Sequence, residues 1–168
     1  ECRDLDFPYF YDPSQQIVRL DAEDLRDGVE GAKALFVNDY ELSLTQKATG
    51  LEVSNIVQFV EFLVVTCGKQ GADIYTRADE IHIPIVPAEQ IVDPTGTGDA
   101  FRGGFLAGYR RGWNLDLCGK MGALAATYCL ENKGTQSHNY LPGEFVARFR
   151  QHFDDQGKLD ELLLGKSQ

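Results

Sequence analysis

The stretch Ile91-Val92-Asp93-Pro94-Thr95-Gly96-Thr97-Gly98-Asp99-Ala100-Phe101-Arg102-Gly103-Gly104 places two glycines one residue apart, with an aspartate directly behind them. From Ala100 to Arg111 the apolar residues Phe101, Phe105 and Tyr109 recur at helical spacing, so the stretch reads as a turn feeding the N-terminus of a helix. Glycine lets a ligand approach the main chain closely, and the first amides of a helix lack intrahelical partners at the positive end of its dipole. Such a turn can hold an anion, with Asp99 ionised beside it. The chemistry that fits is phosphoryl transfer, in which the protein mainly positions groups and stabilises charge. The same residues also fit an ordinary tight turn with a helix-start carboxylate. Two familiar alternatives fail: no Gly-Lys-Ser/Thr follows, and the Gly-x-Gly-x-x-Gly fingerprint is broken at Phe101.

Outward from this turn, strand-like and helix-like segments alternate. Ala34 to Val37 (ALFV) and Phe62 to Thr66 (FLVVT) are short uninterrupted apolar runs, the signature of strands buried on both faces. Asp6 to Tyr11 is a further strand candidate closed by Asp12-Pro13-Ser14, and Asp73 to Thr76 pairs with Ile81 to Val86, where Pro84 and Pro87 keep the second piece short. Helices are expected after Asp21, over Glu41 to Lys47, Glu52 to Glu61 and Leu115 to Glu131, and from Pro142 to about Phe153, followed by a polar tail. Gly103, Gly104, Ala107 and Gly108, with the Gly/Ala-rich second helix, predict two closely packed backbones, since each helical glycine costs about 1 kcal/mol. The alternation implies an α/β layer with a mainly parallel sheet.

The 168 residues suffice for one core and imply a single domain over 1–168; 43% hydrophobic and 25% charged residues are those of a soluble globular protein. Sixteen basic against 26 acidic side chains give a net charge of -10, which speaks against nucleic acid or an anionic membrane as partner. A polyphosphate ligand would have to be attracted locally, by amides and a divalent cation. Cys2, Cys67, Cys118 and Cys129 lie far apart without a Cys-x-x-Cys pair, which argues against zinc and for free thiols in a reducing cytoplasm. Neither a signal peptide nor a membrane-spanning run is read, and Glu1-Cys2-Arg3-Asp4 reads as the continuation of a longer chain.

Four pieces line up in order: Asn38-Asp39-Tyr40-Glu41, Thr66-Cys67-Gly68-Lys69-Gln70-Gly71, Asp93 to Gly104, and Lys133-Gly134-Thr135-Gln136. Together they resemble the C-terminal half of the ribokinase-like family of sugar and nucleoside kinases, over nearly the whole chain. The most specific piece is Asp-x-Thr-Gly-x-Gly-Asp-Ala-Phe-x-x-Gly, which Asp93 to Gly104 satisfies; Pro94 and Thr97 depart from commoner residues without removing an amide of the turn. The resemblance implies a three-layer α/β sandwich whose N-terminal half and lid are absent from this chain. It implies Asp99 as the base that accepts the substrate hydroxyl's proton, with the amides of Gly96, Thr97 and Gly98 as the anion hole. It implies magnesium oriented by Glu41, through water, with Asn38 near the phosphates; a helix-start carboxylate is the alternative for Glu41. Thr66, Gly68 and Gly71 resemble part of the nucleotide-phosphate wall, and Gly134 to His138 the border of the adenine. Asp93 and the Thr95 carbonyl, with the Gly134 loop, resemble a monovalent-cation (potassium) site that not all members use.

The strings NDYE, DPTGTGDAFRGG and GTQ resemble the bacterial adenosine-kinase-like branch more than ribokinases or fructokinases. The expectation is therefore ATP-dependent phosphorylation of a hydroxyl of adenosine or a related sugar by the full-length protein, a cytoplasmic enzyme that could form a homodimer. The chain alone is expected to be a poor enzyme or inactive. A ribokinase- or fructokinase-type sugar kinase and a catalytically silent nucleotide-binding regulator are the rival readings.

Overall fold

The computed structural model describes residues 2 and 5–164, so Glu1, Arg3, Asp4 and the end of the expected tail, 165–168, lie outside the described residues. The chain divides into two compact units, Glu1–Ile83 and Pro84–Gln168.

The first unit is a five-stranded sheet in sequence order: β1 (Phe10–Tyr11), β2 (Ala34–Asn38), β3 (Phe62–Thr66), β4 (Ala72–Tyr75) and β5 (Glu80–Ile83). The pairs β1–β2 and β2–β3 are parallel and β3–β4 and β4–β5 antiparallel, so four of the five strands run the same way. The two apolar runs read as buried strands are β2 and β3, and their registers pair Asn38 with Thr66 at the C-terminal ends. Leu35, Val37, Leu63 and Val65 share one core with Val29 of α1 (Ala22–Glu30) and with Ile56 and Val57 of α3 (Val53–Phe59). Between them α2 (Asp39–Thr49) ends at Gly50, whose φ of 72° is the left-handed cap expected of a helix-stopping glycine. The first strand is shorter than the Asp6 to Tyr11 expectation: Pro8 has no N–H to give a ladder, and Asp6 sits at φ 53°. Likewise β5 stops at Ile83, immediately before Pro84, instead of running to Val86.

In the second unit α4 (Thr97–Tyr109) lies against α5 (Leu115–Leu130), followed by α6 (Pro142–His152) and α7 (Asp160–Leu163). The close approach read from small residues is real but selective. A Cβ on Gly104 would stand 2.7 Å from the Met121 carbonyl oxygen, and one on Gly122 would stand 2.8 Å from that of Phe101. One on Gly103 would meet nothing within 4 Å, so packing does not account for that glycine. The polar-tail expectation is corrected by α7 and the turn before it. Leu159 is fully buried, and Asp155, 5% exposed, accepts hydrogen bonds from Arg150 Nε (3.0 Å), Arg150 NH2 (2.8 Å) and the Leu159 amide (2.9 Å). The Arg150 guanidinium and that amide hold the Asp155 carboxyl down at about 2.

Candidate active site

The predicted residues fall into two groups, one in each unit. In the first unit, Asn38 ends β2 and is the N-cap of α2: its Oδ1 accepts from the Glu41 amide at 2.7 Å, and Glu41 Oε2 accepts from the Asn38 amide at 2.8 Å. This reciprocal capping box satisfies two of the orphan donors that a helix start leaves. Glu41 is consequently buried, 9% exposed, a cost that the two bonds and the helix dipole offset. It thus already has the structural duty of a helix-start carboxylate.

Thr66 ends β3 opposite Asn38, and the chain then turns through a 3₁₀ segment, Gly68–Gln70. Gly68 and Gly71 take φ values of 54° and 96°, and the Cys67 amide closes the turn onto the Gly71 carbonyl at 2.7 Å. The C-terminal ends of two parallel strands therefore carry Asn38, Thr66 and this turn side by side, which is where open α/β sheets place ligands. Beside Asn38, Tyr40 and Glu41 a cavity of about 470 Å³ is bounded on its other side by Ser14 to Arg19. Sequence reasoning missed that wall because Ser14 to Val18 is a short 3₁₀ helix without hydrophobic periodicity.

The second group surrounds the start of α4. That helix begins at Thr97, three residues earlier than its apolar spacing shows, with Gly96 as N-cap at φ 84°. A Cβ on Gly96 would also stand 2.9 Å from Thr135 Cβ, so conformation and contact both demand glycine there. No side chain caps this helix. The Thr97 amide reaches back to the Pro94 carbonyl at 3.3 Å, a long bond, and Thr97 Oγ1 donates to the same oxygen at 2.9 Å. Asp99 lies in the first turn with its side chain 75% exposed, in an ion pair with Arg102 NH2 at 2.5 Å. Gly98, between them and the turn, has no atom within 3.7 Å of its missing Cβ position.

Asp93 ties the loops of this group together: Oδ1 accepts from the Thr95 amide at 2.9 Å and Oδ2 from the Gly134 amide at 3.0 Å. The Thr95 side chain first, then the Thr95 and Gly134 amides, hold its carboxyl below the usual carboxylate range. The Thr95 carbonyl accepts the Cys129 thiol at 3.5 Å. His138 is half-buried, stacked 6.3 Å from Tyr140, and its buried Nδ1 has no hydrogen-bond partner among the described residues. Also unforeseen is the part-buried pair of Glu131 and Arg148, bidentate at 2.6 and 2.7 Å, with the guanidinium 4.7 Å over the Tyr128 ring. Its members are 17 residues apart and lack any local pattern.

The mainly parallel sheet of the first unit and the helices of the second, one of them opening on a glycine turn followed by a carboxylate, define an α/β protein. Comparison with known proteins gives the class a family. The pfkB family carbohydrate kinase profile matches residues 3–141. A nucleoside kinase of Methanocaldococcus jannaschii is 34% identical over 142 residues, covering 84% of this chain and 47% of the relative. A cytidine kinase of Thermococcus kodakarensis is 37% identical over 118 residues, 67% of this chain and 42% of the relative. The structure of Burkholderia thailandensis nucleoside kinase in complex with inosine superposes with a TM-score of 0.88 at 36% identity, covering 90% of this chain and 51% of that one. A complex of the same enzyme with ADP-inosine gives the same TM-score and identity, with 90% and 48% covered. The chain belongs to the pfkB family of carbohydrate kinases, with the ribokinase-like fold. It spans about half the length of the relatives it matches. Among the described residues no helix is long and apolar enough to cross a membrane, and all four cysteines are free.

Proposed function

We propose that the full-length protein transfers the γ-phosphoryl of ATP to a primary hydroxyl of a nucleoside, in an adenosine-kinase-like reaction, with both units serving as the C-terminal portion of one ribokinase-like domain. The observation that carries this reading is the uncapped start of α4, where Gly96 to Gly98 open the helix and Asp99 follows directly. First-turn amides without a side-chain cap offer N–H donors to the transferring group. In the reaction the acceptor oxygen forms a bond to the γ-phosphorus as the bond from that phosphorus to the bridging oxygen of ADP breaks. ADP departs with that electron pair. The acceptor's proton passes to the Asp99 carboxylate as the new bond forms, because an alcohol is far too weak an acid to lose it beforehand.

In this reading Thr66, Gly68 and Gly71 border the nucleotide phosphates at the strand ends, and Gly134 and His138 border the base. The buried, unpartnered Nδ1 of His138 supports that placement, since such a ring nitrogen calls for a partner. Magnesium would be held by Glu41 through water, with Asn38 beside it, and would neutralise phosphate charge. One carboxylate suffices for an ion that keeps most of its waters, and Glu41 has one oxygen committed to the Asn38 amide. Potassium at Asp93 and the Thr95 carbonyl belongs to the same reading, with the lone pairs that the two amide bonds leave over. A cytoplasmic location is supported by the four free thiols.

Nucleoside is preferred to plain sugar because the relatives of M. jannaschii and B. thailandensis are nucleoside kinases at 34 and 36% identity. The test is turnover of the full-length protein with ATP and magnesium on adenosine, inosine, cytidine, ribose and fructose. A nucleoside is expected to give the largest kcat/KM. Turnover of ribose or fructose alone would replace the acceptor, and ATP binding without turnover of any acceptor would favour the silent nucleotide-binding regulator.

A further inference from the structure

The ion pair between Arg102 and Asp99 is open to a bland account, as an i,i+3 pair on a helix surface. One observation does not fit that account. The Arg102 side chain is 24% exposed against 75% for Asp99, so it is mostly covered where a surface partner would reach into water. It lies back along the first turn of α4: NH1 and NH2 stand 3.7 and 3.9 Å from the Cβ position of Gly98, the residue four before it, and NH2 meets Asp99.

The geometry points to Arg102 as a positioning residue for phosphoryl transfer: its guanidinium fixes the Asp99 carboxylate beside the Gly98 turn and offsets that carboxylate's charge against an incoming polyphosphate. The assignment rests on the proposed kinase reaction. It addresses a problem that the reaction poses for this chain. The protein carries a net charge of -10, and its proposed base is itself an anion placed where another anion must dock. Like charges a few ångströms apart repel, so an uncompensated Asp99 would oppose the docking of the γ-phosphate. Arginine suits the task because it stays charged at any working pH, and its NH2 holds one Asp99 carboxylate oxygen at 2.5 Å. It exchanges no proton in the reaction; it acts through Asp99.

The experiment is a double-mutant cycle in the full-length protein, with MgATP affinity measured by calorimetry for wild type, R102Q, D99N and R102Q/D99N, and the melting temperature recorded for each. The expected result is a loss of about tenfold in MgATP affinity in R102Q, restored to within about threefold of wild type in the double variant, since removing the carboxylate removes the repulsion. A role confined to holding the helix together would not be rescued by that second change. R102K, which keeps the charge but not the fork, is expected to bind MgATP like wild type while its kcat falls about tenfold. Wild-type affinity in R102Q, or a double variant as weak as R102Q at unchanged melting temperature, would overturn the assignment. Wild-type protein that binds MgATP but turns over no acceptor would sink the kinase reading, while the affinity cycle would still decide the role of Arg102. Wild-type protein that does not bind MgATP would overturn both.

Discussion

The starts of α2 and α4 solve the same problem in opposite ways. One follows a strand and the other a turn, and each carries an acidic residue in its third position, Glu41 in α2 and Asp99 in α4. At α2 the protein answers its own orphan donors: Asn38 caps the Glu41 amide, Glu41 turns back to the Asn38 amide, and the carboxylate is buried. At α4 the N-cap is a glycine without a side chain, and Asp99 points outward and pairs with Arg102 instead of the helix start. A helix start that closes on itself gains stability, about 1 kcal/mol for a good cap. One without a side-chain cap forgoes that: the Thr97 amide turns back to the Pro94 carbonyl, and in the proposed reading the amides beside it serve a ligand. In the proposed reading the difference separates a carboxylate that closes its own helix start from one placed for chemistry.

The sharpest way to break the contrast is Gly96→Ala. Its left-handed φ and the Thr135 contact predict about 2–3 kcal/mol of lost stability and a turned-away loop, read as a fall in melting temperature together with a turnover loss of about a hundredfold or more. Wild-type turnover in that variant would show that the open turn is not needed. Next comes Glu41→Gln, which keeps the capping box because glutamine can also reach back to the N-cap amide, but removes the charge. Stability should change by less than about 1 kcal/mol, whereas turnover should fall about tenfold or more and demand more magnesium. Unchanged magnesium dependence would leave Glu41 as a cap only. The smallest effect is expected from Asn38→Gly, which exchanges one acceptable cap for another and should cost a few tenths of a kcal/mol in denaturant unfolding. A loss of turnover far beyond that would mean that the Asn38 side chain serves the phosphates directly.

Much of this contrast is visible in the sequence, but unevenly. ALFV and FLVVT declare β2 and β3 because strands covered on both faces need uninterrupted apolar residues. Asp93 to Gly104 declares its turn because glycine and proline restrict the backbone locally. The true start of α4 is not legible from apolar spacing, since Thr97 and Gly98 contribute no apolar side chain and Gly96 caps by its backbone alone. Contacts between distant residues leave even less trace. Thr135 over Gly96 and Glu131 with Arg148 are set by tertiary packing, and Arg150 with the buried Asp155, five residues on, by the turn that leads into α7. Arg102 is the instructive case: three residues after an aspartate it reads as a routine helix pair, and only its low exposure beside the exposed Asp99 distinguishes it.

The central claim is that Asp99, at the open helix start, takes the acceptor's proton. The most direct measurement is kcat of the full-length Asp99→Asn variant beside its MgATP affinity. The account predicts a loss of kcat of about a thousandfold, the upper part of the range for a general base, with MgATP bound as tightly as in wild type or more so. Turnover within a few-fold of wild type would contradict it.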